Sequence, residues 1–184
     1  MDPVSDLVGN LWKSYQKNID IKILSSENKL LPSNRIGEII CKTPGKFKGY
    51  FNLIKENNNC YYKNYFRTGD LGYLDNNKYL YFKSRKKNII RKNGITIYPE
   101  DIENNILKDK RVEEVAVVGK ESKLNTKIYL FVKKNLNIDH LYIKNICLKK
   151  LSTFQLPDEI LFVKSIPKTN LGKVSKRELL IKIK

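Results

Sequence analysis

Three short stretches carry the side chains best suited to chemistry. Thr68-Gly69-Asp70 sets an aspartate beside a glycine. Glycine lets a backbone approach a ligand closely, and the carboxylate can accept from two hydroxyls of a ribose. Arg85 follows a strand-like segment and opens a basic joint, in a run of Lys83, Arg85, Lys86 and Lys87 broken only by Ser84. Its planar fork can hold ribose or phosphate oxygens. The third stretch is Pro167-Lys168-Thr169-Asn170-Leu171-Gly172-Lys173, where proline and glycine shape a tight loop. Lys173 follows that glycine. An ammonium on a long stem can offset negative charge building between a carboxylate and a phosphate. Each stretch alone also fits something plainer: an ordinary Gly-Asp turn, a solvated charge run, one lysine among 30. No glycine-rich phosphate cradle, Ser/His/Asp set or metal-ligand cluster accompanies them. His140, the sole histidine, has no partner for a catalytic pair and reads as a surface residue.

The elements around these stretches must position them. Upstream of the joint the pattern is strands and turns. Residues 18–24 alternate, with Ile19, Ile21 and Ile23 on one face, and residues 36–41 form a second strand before Thr43-Pro44-Gly45. Residues 25–35, with Pro32, read as a turn, and the asparagine-rich residues 55–59 as a surface loop. Residues 65–67 and 71–74 read as two strands with Thr68-Gly69-Asp70 between them. Asp75-Asn76-Asn77 then turns the chain into a strand over 79–83.

The joint lies within residues 81–103 and runs into Ile89-Ile90 and Ile95-Ile97, linked by Lys92-Asn93-Gly94. Asn-Gly signals a hairpin, because both residues accept positive φ. Pro99 followed by Glu100 and Asp101 suits a helix start. The helix over 99–108 sets Ile102, Ile106 and Leu107 at helical spacing. Strands follow over 112–118 and 127–133, the second alternating Ile128, Leu130 and Val132. A helix over 139–151 brings Leu141, Ile146, Leu148 and Leu151 near one face. A strand over 160–163, a loop over 166–172 and a helix over 175–183 complete the chain, with Ser175 and Glu178 spaced as a capping box. The pattern predicts an α+β protein: a small antiparallel β-barrel-like subdomain over 1–84, then an α+β domain over 85–184, with the joint near 85–88.

The 184 residues suffice for one domain or two small ones, and 41% hydrophobic content suffices for a packed core. Lys+Arg number 36 against 19 Asp+Glu, a net charge of +17. Six of the 36 are arginine and 30 are lysine. Nucleic-acid readers favour arginine for bidentate contacts, so the charge does not argue for a nucleic-acid partner. It would still attract phosphate-bearing ligands weakly. Cys41, Cys60 and Cys147 are widely separated and odd in number, which fits a reducing compartment better than a disulfide framework or zinc site. No apolar run approaches transmembrane length, and residues 1–10 lack a signal-peptide pattern. The cytoplasm is the expected location, with organelle targeting by a missing N-terminal segment left open.

Taken together and in order, the three stretches resemble the C-terminal part of the AMP-forming adenylating enzymes, and most closely the fatty-acyl-CoA synthetases. YFRTGDLGY over 65–73 is similar to the family's TGD motif, and SRKKNIIRKNGITIYPEDIE over 84–103 to its hinge motif and following loop. Residues 167–173 fit P-x-T-x-x-G-K, the motif of the catalytic lysine. Ile36-Gly37-Glu38-Ile39 and Lys48-Gly49-Tyr50-Phe51-Asn52 resemble the upstream GEI and KGYxN segments. Two positions depart from the family pattern: Ser84 stands where glycine is usual, and Asn88 where an acidic residue is common. They bear on hinge behaviour.

The resemblance implies an acid–thiol ligase reaction with ATP, magnesium (Mg2+) and CoA: acyl-AMP forms first, then the CoA thioester. It implies that Thr68, Asp70 and Arg85 bind the nucleotide and that Lys173 is catalytic. It also implies that Lys87 is the pivot of a mobile lid, and that Arg91 and Gly94 line the CoA path. The phosphate loop and acyl pocket of the family's large N-terminal domain are missing from these residues. A fatty acid or other carboxylate would be bound through that domain, and the chain alone would be inactive. No transmembrane segment is expected, and peripheral membrane contact is left open. The rival expectation is a non-catalytic basic module that keeps the lid fold and binds a nucleotide or a partner chain.

Overall fold

Isoleucine pairs build the first sheet. The structure, a computed structural model, describes residues 19–45, 49, 51, 57, 59–121, 125–135 and 138–183. The aperiodic N-terminal residues 1–16, Asn18 and most of the KGYxN segment lie outside that set. The described chain divides into two compact units, Met1–Lys87 and Asn88–Lys184. In the first, β1 (Asp20–Leu24), β2 (Gly37–Lys42), β3 (Tyr61–Tyr62), β4 (Tyr65–Leu74) and β5 (Leu80–Arg85) form one antiparallel sheet. The order is β1-β2-β4-β3, with β5 also pairing β4. Ile23 and Leu24, like Ile39 and Ile40, are adjacent and buried. Neighbours on a strand point to opposite faces, so both faces of the β1–β2 pair are covered. That is why residues 36–41 read as an apolar run rather than a clean alternation.

Three expectations in this unit need correction. Thr68-Gly69-Asp70 does not separate two strands; β4 runs unbroken through it. Glu38 pairs with Leu71 and Ile40 with Arg67, so the triplet bulges opposite Ile39. The Thr68 hydroxyl holds the bulge: Oγ1 donates to the Ile39 carbonyl at 2.8 Å and accepts from Asp70 N at 3.0 Å. Arg85 ends a strand rather than following one, because β5 continues its pairing with β4 to Asp70. Among residues 55–59, the described Asn57 and Asn59 are helical rather than loop, and Cys60 N donates to Asn57 O to close the turn. The turn at Asp75 forms as the sequence predicts, with its carboxylate accepting from Asn77 N and Tyr79 N.

The second unit is a three-stranded sheet covered on both sides. It comprises a hairpin, β6 (Ile90–Lys92) and β7 (Ile95–Ile97), then α1 (Pro99–Leu107), β8 (Val115–Glu121), β9 (Thr126–Lys133), α2 (His140–Lys150), β10 (Glu159–Val163) and α3 (Lys176–Ile181). The sheet order is β10-β9-β8, with β10 parallel and β8 antiparallel to β9. Val115, Val117, Ile128, Leu130 and Val132 face one core with the hairpin, α1 and α2. Ala116, Val118, Tyr129 and Phe131 face a second core with Ile166, Leu179 and Ile183. The alternation read in β9 is therefore half of its pattern, since 128–132 are buried throughout.

Here too the sequence expectations shift. The first long strand begins at Val115, not at 112, because residues 109–112 close a turn through Val112 N to Asp109 O. Helix α2 starts at its Asp139 cap, which accepts from Tyr142 N at 2.7 Å. Its buried face is Ile143, Ile146 and Cys147; Leu141 and Leu148 are exposed. Apolar residues surround this helix, so its sequence does not single out one face. Ser175 makes no side-chain cap bond, and the expected capping box does not form. Its backbone N–H instead donates to Pro167 O and closes the preceding loop.

Candidate functional site

The TGD bulge aims a carboxylate that is held by an arginine on the next strand. Gly69 takes φ +72°, a conformation that L side chains rarely adopt, and lets β4 bulge without a steric penalty. Asp70 and Arg85 are cross-strand partners. Arg85 Nε lies 2.8 Å from Asp70 Oδ1 in an ion pair. That contact is not aligned as a hydrogen bond, and Oδ1 is shielded from solvent with no hydrogen-bond donor. The Asp70 side chain keeps 27% of its surface exposed beyond that pairing, and there the carboxylate can accept from sugar hydroxyls. Thr68 fixes the bulge rather than pointing at a ligand, since its hydroxyl is used on Ile39 and Asp70.

The joint beyond Arg85 is anchored by a residue that local sequence reasoning passed over. Glu38, 6% exposed, accepts from Arg67 at 2.7 and 3.1 Å and from Lys86 at 3.0 Å. Burial pushes its carboxyl up, but the bonds from Arg67 and Lys86 outweigh burial and hold it below the usual range. The signal was a lone acid within the apolar run Ile36 to Cys41. Ser84, the residue departing from the usual glycine, is fully buried immediately before Arg85. Lys87 sits exposed in a single 3-10 turn over Lys86–Asn88.

In the second unit, Arg91 and Gly94 lie on the β6–β7 hairpin. Lys92 pairs with Ile95, leaving Asn93 and Gly94 as a two-residue turn with φ 51° and 76°. That is the turn the Asn-Gly pair predicts. A side-chain carbon at Gly94 would meet nothing within 4 Å, so the turn presents open backbone. Arg91 is exposed beside it. Lys92 bonds both oxygens of Asp158 at 2.7 Å, and Asp158 also accepts from Ile128 N at 2.7 Å. The hairpin is thus tied to the edge of the sheet's core.

Lys173 stands on a second closed loop. Lys168 bridges Val174, Thr169 N donates to Lys173 O at 2.7 Å, and Gly172 N donates to Thr169 O at 2.8 Å. Lys173 itself is exposed. Ile166 and Val174 root this loop in the second core, while Ile90 and Ile97 root the hairpin in the first. The Lys173 loop and the Gly94 turn therefore belong to opposite faces of one sheet. Thr68, Asp70 and Arg85 come together in the first unit; Lys173 is apart from Arg91 and Gly94 in the second. Among the described residues no cluster of acids, histidines and cysteines could hold a metal ion. No described helix is long and apolar enough to cross a membrane. Cys147 is a core residue whose thiol burial pushes up to about 11, unsuited to nucleophilic work.

Known proteins share this architecture. Residues 101–173 match the family model described as the AMP-binding enzyme C-terminal domain. A 2-succinylbenzoate–CoA ligase of Listeria innocua is 37% identical over 163 residues, covering 86% of this chain and 35% of that protein. A long-chain-fatty-acid–CoA ligase of Bacillus subtilis is 31% identical, covering 94% of this chain and 31% of that protein. The o-succinylbenzoate coenzyme A synthetase MenE of Bacillus subtilis, solved with ATP and magnesium ion, superposes with a TM-score of 0.80 at 27% identity. That match covers 89% of this chain and 34% of MenE. The chain spans about a third of the length of these relatives.

Proposed function

We propose a function from the chain's family: it belongs to the AMP-forming adenylating enzymes, as the C-terminal domain of an acyl- or aryl-CoA ligase. In the complete ligase, these residues follow an N-terminal AMP-binding domain that supplies the phosphate loop and acyl pocket. There a carboxylate oxygen attacks the α-phosphate of ATP, giving acyl-AMP and pyrophosphate. The CoA sulfur then attacks the acyl carbon, and AMP leaves. Asp70 accepts from the ribose hydroxyls, with Arg85 holding the carboxylate in place and Thr68 holding the bulge. Lys173 offsets the charge that builds as carboxylate and α-phosphate meet. Lys87 serves as pivot, and the turn at Arg91 and Gly94 gives the pantetheine arm of CoA room to pass. Magnesium enters with ATP, and the described residues do not fit a metal site of their own. The substrate is a fatty acid or another carboxylate, and no nucleic acid is involved.

One observation carries this reading. The Lys173 loop and the Gly94 turn occupy opposite faces of one three-stranded sheet. A rigid unit built this way can offer one loop to a reacting centre and, after turning, the other. Two successive half-reactions call for such an exchange. The test is carboxylate-dependent ATP–pyrophosphate exchange, followed by CoA-dependent release of AMP. The complete ligase gives both, and residues 1–184 alone give no exchange above a Lys173→Ala control. A complete protein that binds ATP without either activity would favour the non-catalytic module instead.

A further inference from the structure

Glu100, Glu103 and Lys176 form a charged cluster that the reaction above leaves unused. Glu100 and Glu103 lie one turn apart on α1, and Lys176 opens α3. Lys176 Nζ lies 3.4 Å from Glu103 Oε1 and 3.8 Å from Glu100 Oε1. The same Glu103 oxygen accepts from Val117 N at 2.7 Å. Strand β8 has one neighbour in its sheet, so Glu103 occupies its open edge. Helix α1 packs on one face of that sheet and α3 on the other. The cluster therefore ties the two faces together around the edge. Its side chains are only 18–21% exposed, and Lys176 Nζ and Glu100 Oε2 are shielded from solvent without a hydrogen bond. One ammonium between two carboxylates in such surroundings is held by charge alone. Removing it would leave two like charges facing each other.

Lys176 is three residues past Lys173. The loop between them closes on itself where Ser175 N donates to Pro167 O at 2.8 Å. Its incoming arm has a matching tie, because Lys168 pairs with Glu114. Of the three lysines in residues 168–176, Lys168 is exposed but paired with Glu114, Lys176 is half-buried between Glu100 and Glu103, and Lys173 is exposed on the loop between them. We propose that Lys176, held by Glu100 and Glu103 of α1, is a positioning residue that fixes the loop presenting Lys173. This rests on the reading of Lys173 as the lysine of adenylate formation.

The test uses Lys176→Met and Lys176→Arg, first by hydrogen exchange on the 184-residue chain. The Thr169 and Gly172 amides, which close the loop, exchange roughly tenfold faster in Lys176→Met, the scale expected for losing a charged tie. Lys176→Arg restores the slow rate. In the complete ligase, Lys176→Met lowers adenylate formation by a similar factor and leaves thioester formation from preformed acyl-AMP unchanged. A merely structural role would slow both steps and loosen the Leu130 amide in the sheet as well. Should Lys176→Met loosen the whole unit, Glu100→Gln keeps the ammonium and one carboxylate, and is expected to loosen only the loop. Unchanged loop exchange in Lys176→Met, or a rise spread to Leu130 in both variants, overturns the proposal. Lys173→Ala is measured alongside. If it does not lower adenylate formation, the reading of Lys173 fails while the exchange data still decide the role of Lys176. If it does and Lys176→Met does not, the positioning role fails alone.

Discussion

Asp70 and Arg85 are direct cross-strand partners whose charged atoms approach to 2.8 Å, yet Asp70 Oδ1 receives no hydrogen bond. The pair depends on the bulge at Thr68-Gly69-Asp70. A one-residue slip of register would turn Asp70 to the other face of β4. The arginine holds the carboxylate aimed from its side of the strand pair.

Asp70→Ala in the complete ligase is therefore expected to raise the KM for ATP by roughly ten- to a hundredfold, the worth of hydrogen bonds to a charged group. The sharper check replaces ATP with its 2′,3′-dideoxy analogue. The unaltered ligase should discriminate strongly against the analogue, and the variant should not. Equal discrimination by both proteins would show that Asp70 does not read the ribose.

The joint gives a second expectation. Arg85 and Lys86 are tied to Asp70 and Glu38, whereas Lys87 is exposed in a short 3-10 turn. Tryptic cleavage requires a lysine that can leave its surroundings, so cutting should fall after Lys87 before it falls after Lys86. The product would be a stable fragment of roughly 100 residues, an ordinary small-domain size. Glu38→Gln should add a cut after Lys86. Resistance across residues 83–92, or cutting after Lys86 at full rate in the unaltered chain, would count against it.

Local patterns carried the strands, the Asn93-Gly94 turn and the start of α2 at Asp139, because each depends on residues a few positions apart. The bulge at Thr68 did not show, since it is made by a bond to Ile39, 29 residues earlier. Glu38, Arg67 and Lys86 are likewise distant in sequence, and only the folded sheet brings them together. Helix α2 misled because its leucines do not mark its buried side. The candidate site was legible as three separate stretches, each with a plainer reading. Their order gave the family; the pairing of Asp70 with Arg85, and the placement of the Lys173 loop and the Gly94 turn on two faces of one sheet, needed the fold.

Glu38 also predicts a pH dependence. Its carboxyl is held below the ordinary value of 4.5, since Arg67 and Lys86 outweigh burial. A depressed acid contributes stability that is fully present above its unfolded value and lost as pH falls through its folded one. Urea midpoints of the 184-residue chain should then hold steady down to about pH 5 and decline below it. Glu38→Gln should be less stable at pH 7 by about 1–2 kcal/mol, since Arg67 and Lys86 then face a neutral amide oxygen instead of a carboxylate. Its decline below pH 5 should be shallower than that of the unaltered chain. Parallel curves in that window would remove Glu38 as a source of the acid response.

The final expectation concerns Lys173 and Gly94 as a contrasting pair in the complete ligase. An exposed ammonium on a closed loop is worth most where negative charge accumulates, as carboxylate and α-phosphate meet. Lys173→Ala should lower adenylate formation by about 10²–10³-fold, the usual loss for one electrostatic stabiliser. Supplied with preformed acyl-AMP, the same variant should make acyl-CoA at a near-normal rate. Gly94 should behave in reverse. Its φ of 76° is tolerated by asparagine better than by most residues, and open space surrounds it. Gly94→Asn should therefore keep the turn while placing a side chain where the pantetheine arm would pass. Thioester formation should fall and adenylate formation should hold. A simple folding defect would damage both half-reactions in both variants. Equal losses in the two half-reactions for Lys173→Ala would refute the role assigned to it, and the same result for Gly94→Asn would place that turn outside the CoA path.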